Sequence, residues 1–324
     1  MKLFALQGSE EFGGKIAQYL HLSLGAHEER EFEDGEHKIR PLENIRNKEI
    51  FVIHSLYSDD RHTVNDKLCR LLFFISTLKD AAAKNVTAVI PYFCYARKDR
   101  RTKPSDPVTT RYVATLLEAS GADGVVTMDI HNVQAFQNAF SIPAENLEAK
   151  NLFVSLLLQT VARENLVVLS PDFGGAKRAE QLLEALQKKV NNEIGFALAE
   201  KFRSSGVVSG DRIVGDVQEK TVIIIDDLVS TGGTLARAAA ACKKSGAERV
   251  IALVTHGLFT GNANEILQDS SLQKVIVTNT IPPFRLKASI LRDKLTVLDA
   301  APLFAEAIKR INEGGSIVEL LQNT

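Results

Sequence analysis

The residues with the densest chemical content form one run, Val222-Ile223-Ile224-Ile225-Asp226-Asp227-Leu228-Val229-Ser230-Thr231-Gly232-Gly233-Thr234. A run of apolar strand formers leads into two adjacent acids. A hydroxyl- and glycine-rich turn then opens an alanine-rich segment. Glycine lets the backbone bend so that several N–H groups face one anion, and a helix N-terminus adds favourable potential there. Ser230, Thr231 and Thr234 offer hydroxyl donors to the same anion. Asp226 and Asp227, expected just past the strand end, can accept hydrogen bonds from vicinal hydroxyls. The run therefore reads as a site for a phosphorylated sugar, placed where open α/β sheets bind ligands.

The elements that must hold this run are legible around it. Apolar runs at Lys2–Leu6, Glu49–His54, Val86–Pro91, Gly124–Met128, Leu166–Ser170, Gly195–Ala199, Thr221–Ile225, Arg249–Thr255 and Lys274–Asn279 predict strands. Helical spacing at Lys67–Asp80, Pro107–Ser120, Lys177–Lys188 and Thr234–Ser245 predicts helices between them. This alternation predicts an α/β protein with mainly parallel sheets flanked by helices. A weak repeat relates Ser120-Gly121-Ala122-Asp123-Gly124-Val125 to Ser245-Gly246-Ala247-Glu248-Arg249-Val250, 125 residues on, each followed by a histidine, His131 or His256. Two related domains in tandem, 1–146 and 147–324, are expected from it, with the boundary in the stretch around Pro143.

Composition narrows the function classes. The chain has 324 residues, a formal charge of −1, 45% hydrophobic and 24% charged residues, and three widely spaced cysteines. The near-zero charge argues against a nucleic-acid binder. No apolar run is long enough to span a bilayer. Cys69, Cys94 and Cys242 lack metal or redox spacing, and a cytoplasmic protein with reduced thiols is expected. Gly8-Ser9-Glu10-Glu11-Phe12-Gly13-Gly14-Lys15 loosely resembles a nucleotide P-loop, but its acids and misplaced lysine make it a turn before a helix.

The 226–234 run resembles the phosphoribosyl-diphosphate loop of type I phosphoribosyltransferases and of phosphoribosyl-diphosphate synthetases. Other stretches choose between these. Pro91-Tyr92-Phe93-Cys94-Tyr95-Ala96-Arg97-Lys98-Asp99-Arg100-Arg101 resembles the synthetases' ATP-handling loop, and Thr127-Met128-Asp129-Ile130-His131-Asn132-Val133-Gln134 their metal and nucleotide signature. Phe32-Glu33-Asp34-Gly35-Glu36 resembles their adenine loop; Ser170–Ala179 and Glu200-Lys201-Phe202-Arg203 resemble further active-site stretches. The likeness covers nearly the whole chain, in order, and is specific to the ribose-phosphate diphosphokinase family.

The resemblance implies two tandem type I phosphoribosyltransferase-like domains and transfer of the diphosphoryl group of ATP to the C1 hydroxyl of ribose 5-phosphate. It implies Lys201, Arg203 and Arg97 as catalytic cations, Arg97 and Lys98 arriving from a mobile basic loop that runs to Asp106. Phe32, Asp34, Gly35, Glu36, Arg97, Lys98 and His131 would hold ATP. Arg203, Asp226, Asp227, Ser230, Thr231, Gly232, Gly233 and Thr234 would hold ribose 5-phosphate. His131 and Asp172 map onto magnesium-linked positions, although histidine is an unusual ligand for so hard an ion. A homo-oligomer is implied, built from dimers and hexameric in the best-known subgroup, because the adenine loop there comes from a neighbouring subunit. No nucleic acid or membrane partner is expected. The chain departs from common members at Ser230, Cys94 and Lys98. Two alternatives remain at this stage: a phosphoribosyltransferase, which shares the 226–234 loop alone, and a catalytically silent, synthetase-like regulatory subunit.

Overall fold

The computed structural model describes residues 1–161, 165–204 and 207–323, without the side chains of 200–211 and 323. The chain divides into two compact units, Met1–Glu148 with Ala300–Thr324, and Ala149–Asp299.

The first unit contains β1 (Lys2–Ala5), α1 (Glu10–Tyr19), β2 (His27–Glu31), β3 (His37–Pro41), β4 (Glu49–Ile53), α2 (Val64–Asp80), β5 (Asn85–Ile90), α3 (Thr109–Ala119), β6 (Gly124–Met128), α4 (Val133–Ala139) and β7 (Ala144–Leu147). Its sheet runs β1-β4-β5-β6-β7, parallel throughout. Strand residues alternate between faces. Phe4, Val52, Ala88 and Ile90 join the core that Leu71, Phe74, Ile75 and Leu78 of α2 fill. Ala5 and Ile53 turn the other way, and α1 presses on them so closely that a Cβ at Gly13 would come within 2.4 Å of the Ala5 methyl.

The second unit contains α5 (Lys150–Thr160), β8 (Leu166–Ser170), α6 (Ala176–Gln187), β9 (Gly195–Ser204), β10 (Val207–Val214), β11 (Thr221–Val229), α7 (Gly233–Lys244), β12 (Arg249–Gly257), α8 (Ala263–Ile266), β13 (Lys274–Thr278), α9 (Ala288–Asp293) and β14 (Leu295–Leu298). Its sheet runs β10-β9-β8-β11-β12-β13-β14, and only the β9–β10 pairing is antiparallel. From β8 the chain moves to one side, to β9, and then crosses back to place β11 on the other side. The strand order reverses there, which opens a crevice at the carboxyl ends of β8 and β11. The first sheet has no such reversal.

All nine predicted strands are present. The repeat falls on equivalent joints: Gly121 and Gly246 take φ of 97° and 86° after α3 and α7. Gly121 N–H donates to Glu118 O and Ala122 N–H to Leu117 O; Gly246 and Ala247 donate likewise to Lys243 O and Cys242 O. Both are the same glycine-terminated helix ending. The histidines diverge: His131 is exposed in the β6–α4 loop, whereas His256 is buried within β12.

The C-terminal stretch departs from the expected 147–324 domain. α10 (Ala301–Glu313) and α11 (Ile317–Asn323) belong to the first unit. The reason is apolar burial: α10 buries Leu303, Phe304, Ala307 and Ile308, and Phe304 meets Phe12 of α1 edge to face, centroids 5.4 Å apart. Phe304→Ala is expected to destabilise the first unit by about 3–5 kcal/mol. Hydrogen exchange should accelerate at β1 and β4 amides and stay unchanged at β11 and β12; equal acceleration in both sheets would contradict this division.

Candidate functional site

In the second unit the sequence signal becomes a cradle. β11 does not stop at Ile225 but carries both acids and ends at Val229, because β12 continues beside it: Leu228 pairs with His256 and Val229 with Gly257. The acids therefore sit within the strand, close to its carboxyl end, a correction to their expected place beyond it. Only Ser230, Thr231 and Gly232 separate β11 from α7. Gly232 has a φ of 85°, a left-handed conformation that makes so abrupt a turn possible. It caps α7, its carbonyl accepting from Ala236 N–H at 2.9 Å. The first turn of α7 thus presents backbone N–H groups toward Ser230 and Thr231.

The neighbouring strand end completes the crevice. After β8, Asp172 begins a 3-10 turn at Phe173–Gly175, and its Oδ1 accepts Gly175 N–H at 3.1 Å. α6 follows and sends Arg178 back to the acids, 3.6 Å from Asp226 Oδ1 and 3.8 Å from Asp227 Oδ1. Arg178 lies within the Ser170–Ala179 stretch, and nothing in its spacing signals that it would balance both carboxylates. Asp226 keeps 22% of its side chain exposed and Asp227 5%, so Asp226 is the acid open to a ligand. Burial, and then the adjacent Asp227 carboxylate, push the Asp226 carboxyl well above its ordinary range against the opposing pull of Arg178. Lys201 and Arg203 fall at alternate positions of the extended β9, but their side chains lie outside the described residues.

In the first unit, Arg97 and Lys98 lie on the loop after β5 and His131 on the loop after β6. Tyr95 (φ 60°) and Asp129 (φ 38°), both non-glycine, turn the chain sharply after β5 and β6. Asn132 Nδ2 donates to Asp99 Oδ2 at 2.6 Å, which ties the His131 loop to the Arg97–Arg101 loop. Arg97 and His131 are exposed. The expected basic lid is wound around one acid: Asp106 Oδ2 accepts from Lys98 Nζ (2.5 Å), Thr102 Oγ1 (2.7 Å) and the N–H groups of Thr102 and Lys103. Those donors, Lys98 first, hold the Asp106 carboxyl well below the usual range. Lys98 is thereby engaged by Asp106 rather than left open. Cys94 is buried, which pushes its thiol up to about 12 and makes it unreactive.

Phe32, Asp34, Gly35 and Glu36 form the exposed tip of the β2–β3 hairpin, whose hydrogen bonds close on itself: Phe32 N–H to Glu36 O, Gly35 N–H to Phe32 O, Glu36 N–H to Asp34 Oδ1. The Arg30 guanidinium lies 5.2 Å from the Phe32 ring centroid. The hairpin is pinned to α2 by buried Arg70, which reaches Glu29 (3.6 Å) and Glu31 (3.4 Å), and by His37 stacked on Phe73.

Among the described residues no three His, Cys, Asp or Glu side chains cluster as a metal cage. Asp172 nevertheless suits a magnesium ion held mainly by substrate phosphates, because such ions take one or two carboxylates and keep several waters. Its Oδ1 is fixed by Gly175, which orients the carboxylate.

Comparison with known proteins places the chain in a family. Residues 1–121 match the family model for the N-terminal domain of ribose phosphate pyrophosphokinase, and residues 208–322 that for a phosphoribosyl synthetase-associated domain. The chain is similar to the ribose-phosphate pyrophosphokinase of Wolinella succinogenes, 39% identical over 320 residues, covering 98% of each chain. It is equally similar to that of Aquifex aeolicus, at 39% over 99% of this chain and 98% of the relative. The crystal structure of phosphoribosylpyrophosphate synthetase from Mycobacterium smegmatis superposes with a TM-score of 0.87 at 34% identity, covering 97% of this chain and 99% of that one.

The raised Asp226 carboxyl has a measurable sign. The folded chain holds this proton more tightly than the unfolded one, whose carboxyl titrates near 3.8. Its contribution is complete below that pH and is lost as pH rises through the higher folded value. The urea midpoint of Asp226→Asn minus that of the native protein should therefore climb with pH from its acid limit. A difference flat across the range would mean an ordinary Asp226.

Proposed function

The chain belongs to the ribose-phosphate pyrophosphokinase family, and from that premise we propose that it transfers the diphosphoryl group of ATP to the C1 hydroxyl of ribose 5-phosphate. The products are 5-phosphoribosyl 1-diphosphate, a precursor for nucleotide synthesis, and AMP. The observation that carries this reading to the residues is the Ser230–Thr234 turn at a strand-order reversal, with Asp226 beside it.

In this reading the 5-phosphate sits on the N-terminus of α7, where backbone N–H groups and the hydroxyls of Ser230, Thr231 and Thr234 donate to it. Asp226, with Asp227 behind it, accepts hydrogen bonds from the ribose hydroxyls, and Arg178 keeps the two carboxylates from repelling each other and the sugar phosphate. The C1 oxygen attacks the β-phosphorus and gives up its proton to water, and the bond from that phosphorus to the oxygen bridging to the α-phosphate breaks. The electron pair leaves with AMP. The chain's task is to hold the two reactants in line and to neutralise spreading negative charge. Lys201 and Arg203 supply fixed cations for that charge, and Arg97 brings a third from its loop. Phe32 stacks on the adenine while Asp34 and Glu36 accept from it, Gly35 turning the loop between them. Lys98 reaches the nucleotide only on leaving Asp106. Asp172, together with the substrate phosphates, would hold a magnesium ion, with His131 acting on phosphate or through water, and the ion would supply positive charge there. A cytoplasmic homo-oligomer completes the reading, a neighbouring copy lending the hairpin tip.

Incubation with ATP, magnesium and ribose 5-phosphate, without nucleobase, is expected to give AMP and a new anomeric diphosphate by phosphorus NMR. No turnover under these conditions, despite sugar binding, would point to a silent regulatory subunit. A strict need for a nucleobase would point to a phosphoribosyltransferase. Lys201→Ala should lower kcat by on the order of 10³, the usual loss for one transition-state donor, with nucleotide affinity changed less; near-normal kcat would remove Lys201 from this role.

A further inference from the structure

The Ser230–Thr234 turn rests on a second loop that lies outside the sequence motif. The pairing of β11 with β12 continues past both strands. Val229 O accepts Leu258 N–H at 2.9 Å, and Ser230 O accepts Thr260 N–H at 2.9 Å. The side chains meet as well: Ser230 Oγ and Thr260 Oγ1 are 2.8 Å apart. Gly261 follows so closely that a Cβ on it would lie 3.5 Å from the Thr231 methyl, and one on Gly232 would lie 3.2 Å from Ile266. Residues 258–267 thus form the seat of the loop.

Phe259 sets the height of that seat. It has a φ of 47°, a costly conformation for an aromatic residue, and is buried with its ring against Gly257, where a Cβ would come within 2.4 Å of it. This fixed turn carries Thr260 to Ser230.

A hydroxyl has one proton to give and two lone pairs to receive with. If Ser230 gives its proton to Thr260, it offers an incoming anion only lone pairs. If Thr260 gives its proton to Ser230, the Ser230 proton is free for a phosphate oxygen, and donation into its oxygen strengthens it as a donor. An anion on the loop selects the second arrangement. We propose that Thr260 is a positioning residue for the 5-phosphate, a hydroxyl relay that orients Ser230 as a donor without itself touching the ligand. This rests on the reading that residues 230–234 hold the phosphate.

Calorimetric titration with ribose 5-phosphate tests it on the intact protein, for the native chain, Thr260→Val, Thr260→Ser, Ser230→Ala and the Ser230→Ala/Thr260→Val pair, with thermal melts alongside. Thr260→Val should weaken binding by on the order of tenfold, and Thr260→Ser by no more than about twofold, because the hydroxyl is what acts. In the Ser230→Ala background, Thr260→Val should change affinity by less than about twofold, since the relay has lost its recipient. Turnover should show a raised KM for the sugar with kcat nearly kept. Should Thr260→Val not fold, Thr260→Ala takes its place in the same cycle. Native-like binding by both the valine and alanine variants would overturn the proposal, as would an equal loss with and without Ser230, which marks a mere scaffold. A native protein that binds no ribose 5-phosphate sinks the functional reading and the relay together; one that binds it while the cycle is additive sinks the relay alone.

Discussion

The position of β8 between β9 and β11 is the constraint on which the site depends. Parallel neighbours reached by crossovers in opposite directions cannot share one covering helix at their carboxyl ends. The gap left there receives the Asp172 turn from one strand and the Ser230–Thr234 turn from the other. Arg178 belongs to the helix that follows β8 yet answers acids on β11, because both elements border the same gap. The order of strands, more than any single residue, is what brings a hydroxyl- and glycine-rich turn, a carboxylate pair and a balancing cation together.

The two units repeat a joint without repeating a site. Gly121 and Gly246 end α3 and α7 with the same pair of backbone hydrogen bonds, and each releases the chain into a buried strand. Beyond that joint they part. The first sheet adds its strands in one direction only, so it has no corresponding gap. Its candidate site residues stand instead on loops tied by the Asn132–Asp99 hydrogen bond and on a hairpin braced by Arg70. Likeness of fold between the units therefore did not oblige likeness of chemistry, and His131 and His256 record the difference: one exposed in a loop, the other enclosed beside Thr280.

The parts of this structure legible in the sequence are those whose cause is local. Central strands such as Ile223–Ile225 are apolar throughout because both faces are covered, and α7 is announced by its alanines. The β2–β3 hairpin was not legible as strands, since His27-Glu28-Glu29-Arg30-Glu31 has no apolar alternation; its order comes from Arg70 and Phe73, more than thirty residues away. The extension of β11 through Asp226 and Asp227 depends on β12 continuing alongside, which acids in a row argue against. Arg178 and Thr260 carried no signal because their partners lie across the sheet. The run from Asp226 to Thr234 did carry one, since a strand end, a glycine turn and a helix start follow one another in consecutive residues.

The return of Ala301–Glu313 to the first unit reverses the usual order of events in synthesis. A ribosome delivers residues from the N-terminus onward. Phe12 and its neighbours on α1 leave it early, yet Phe304, which covers Phe12, emerges only after the whole second unit has been made. The second unit is born later and can be finished sooner. The half that begins the chain must wait, with one face of its oldest helix wet, for the last few turns to arrive.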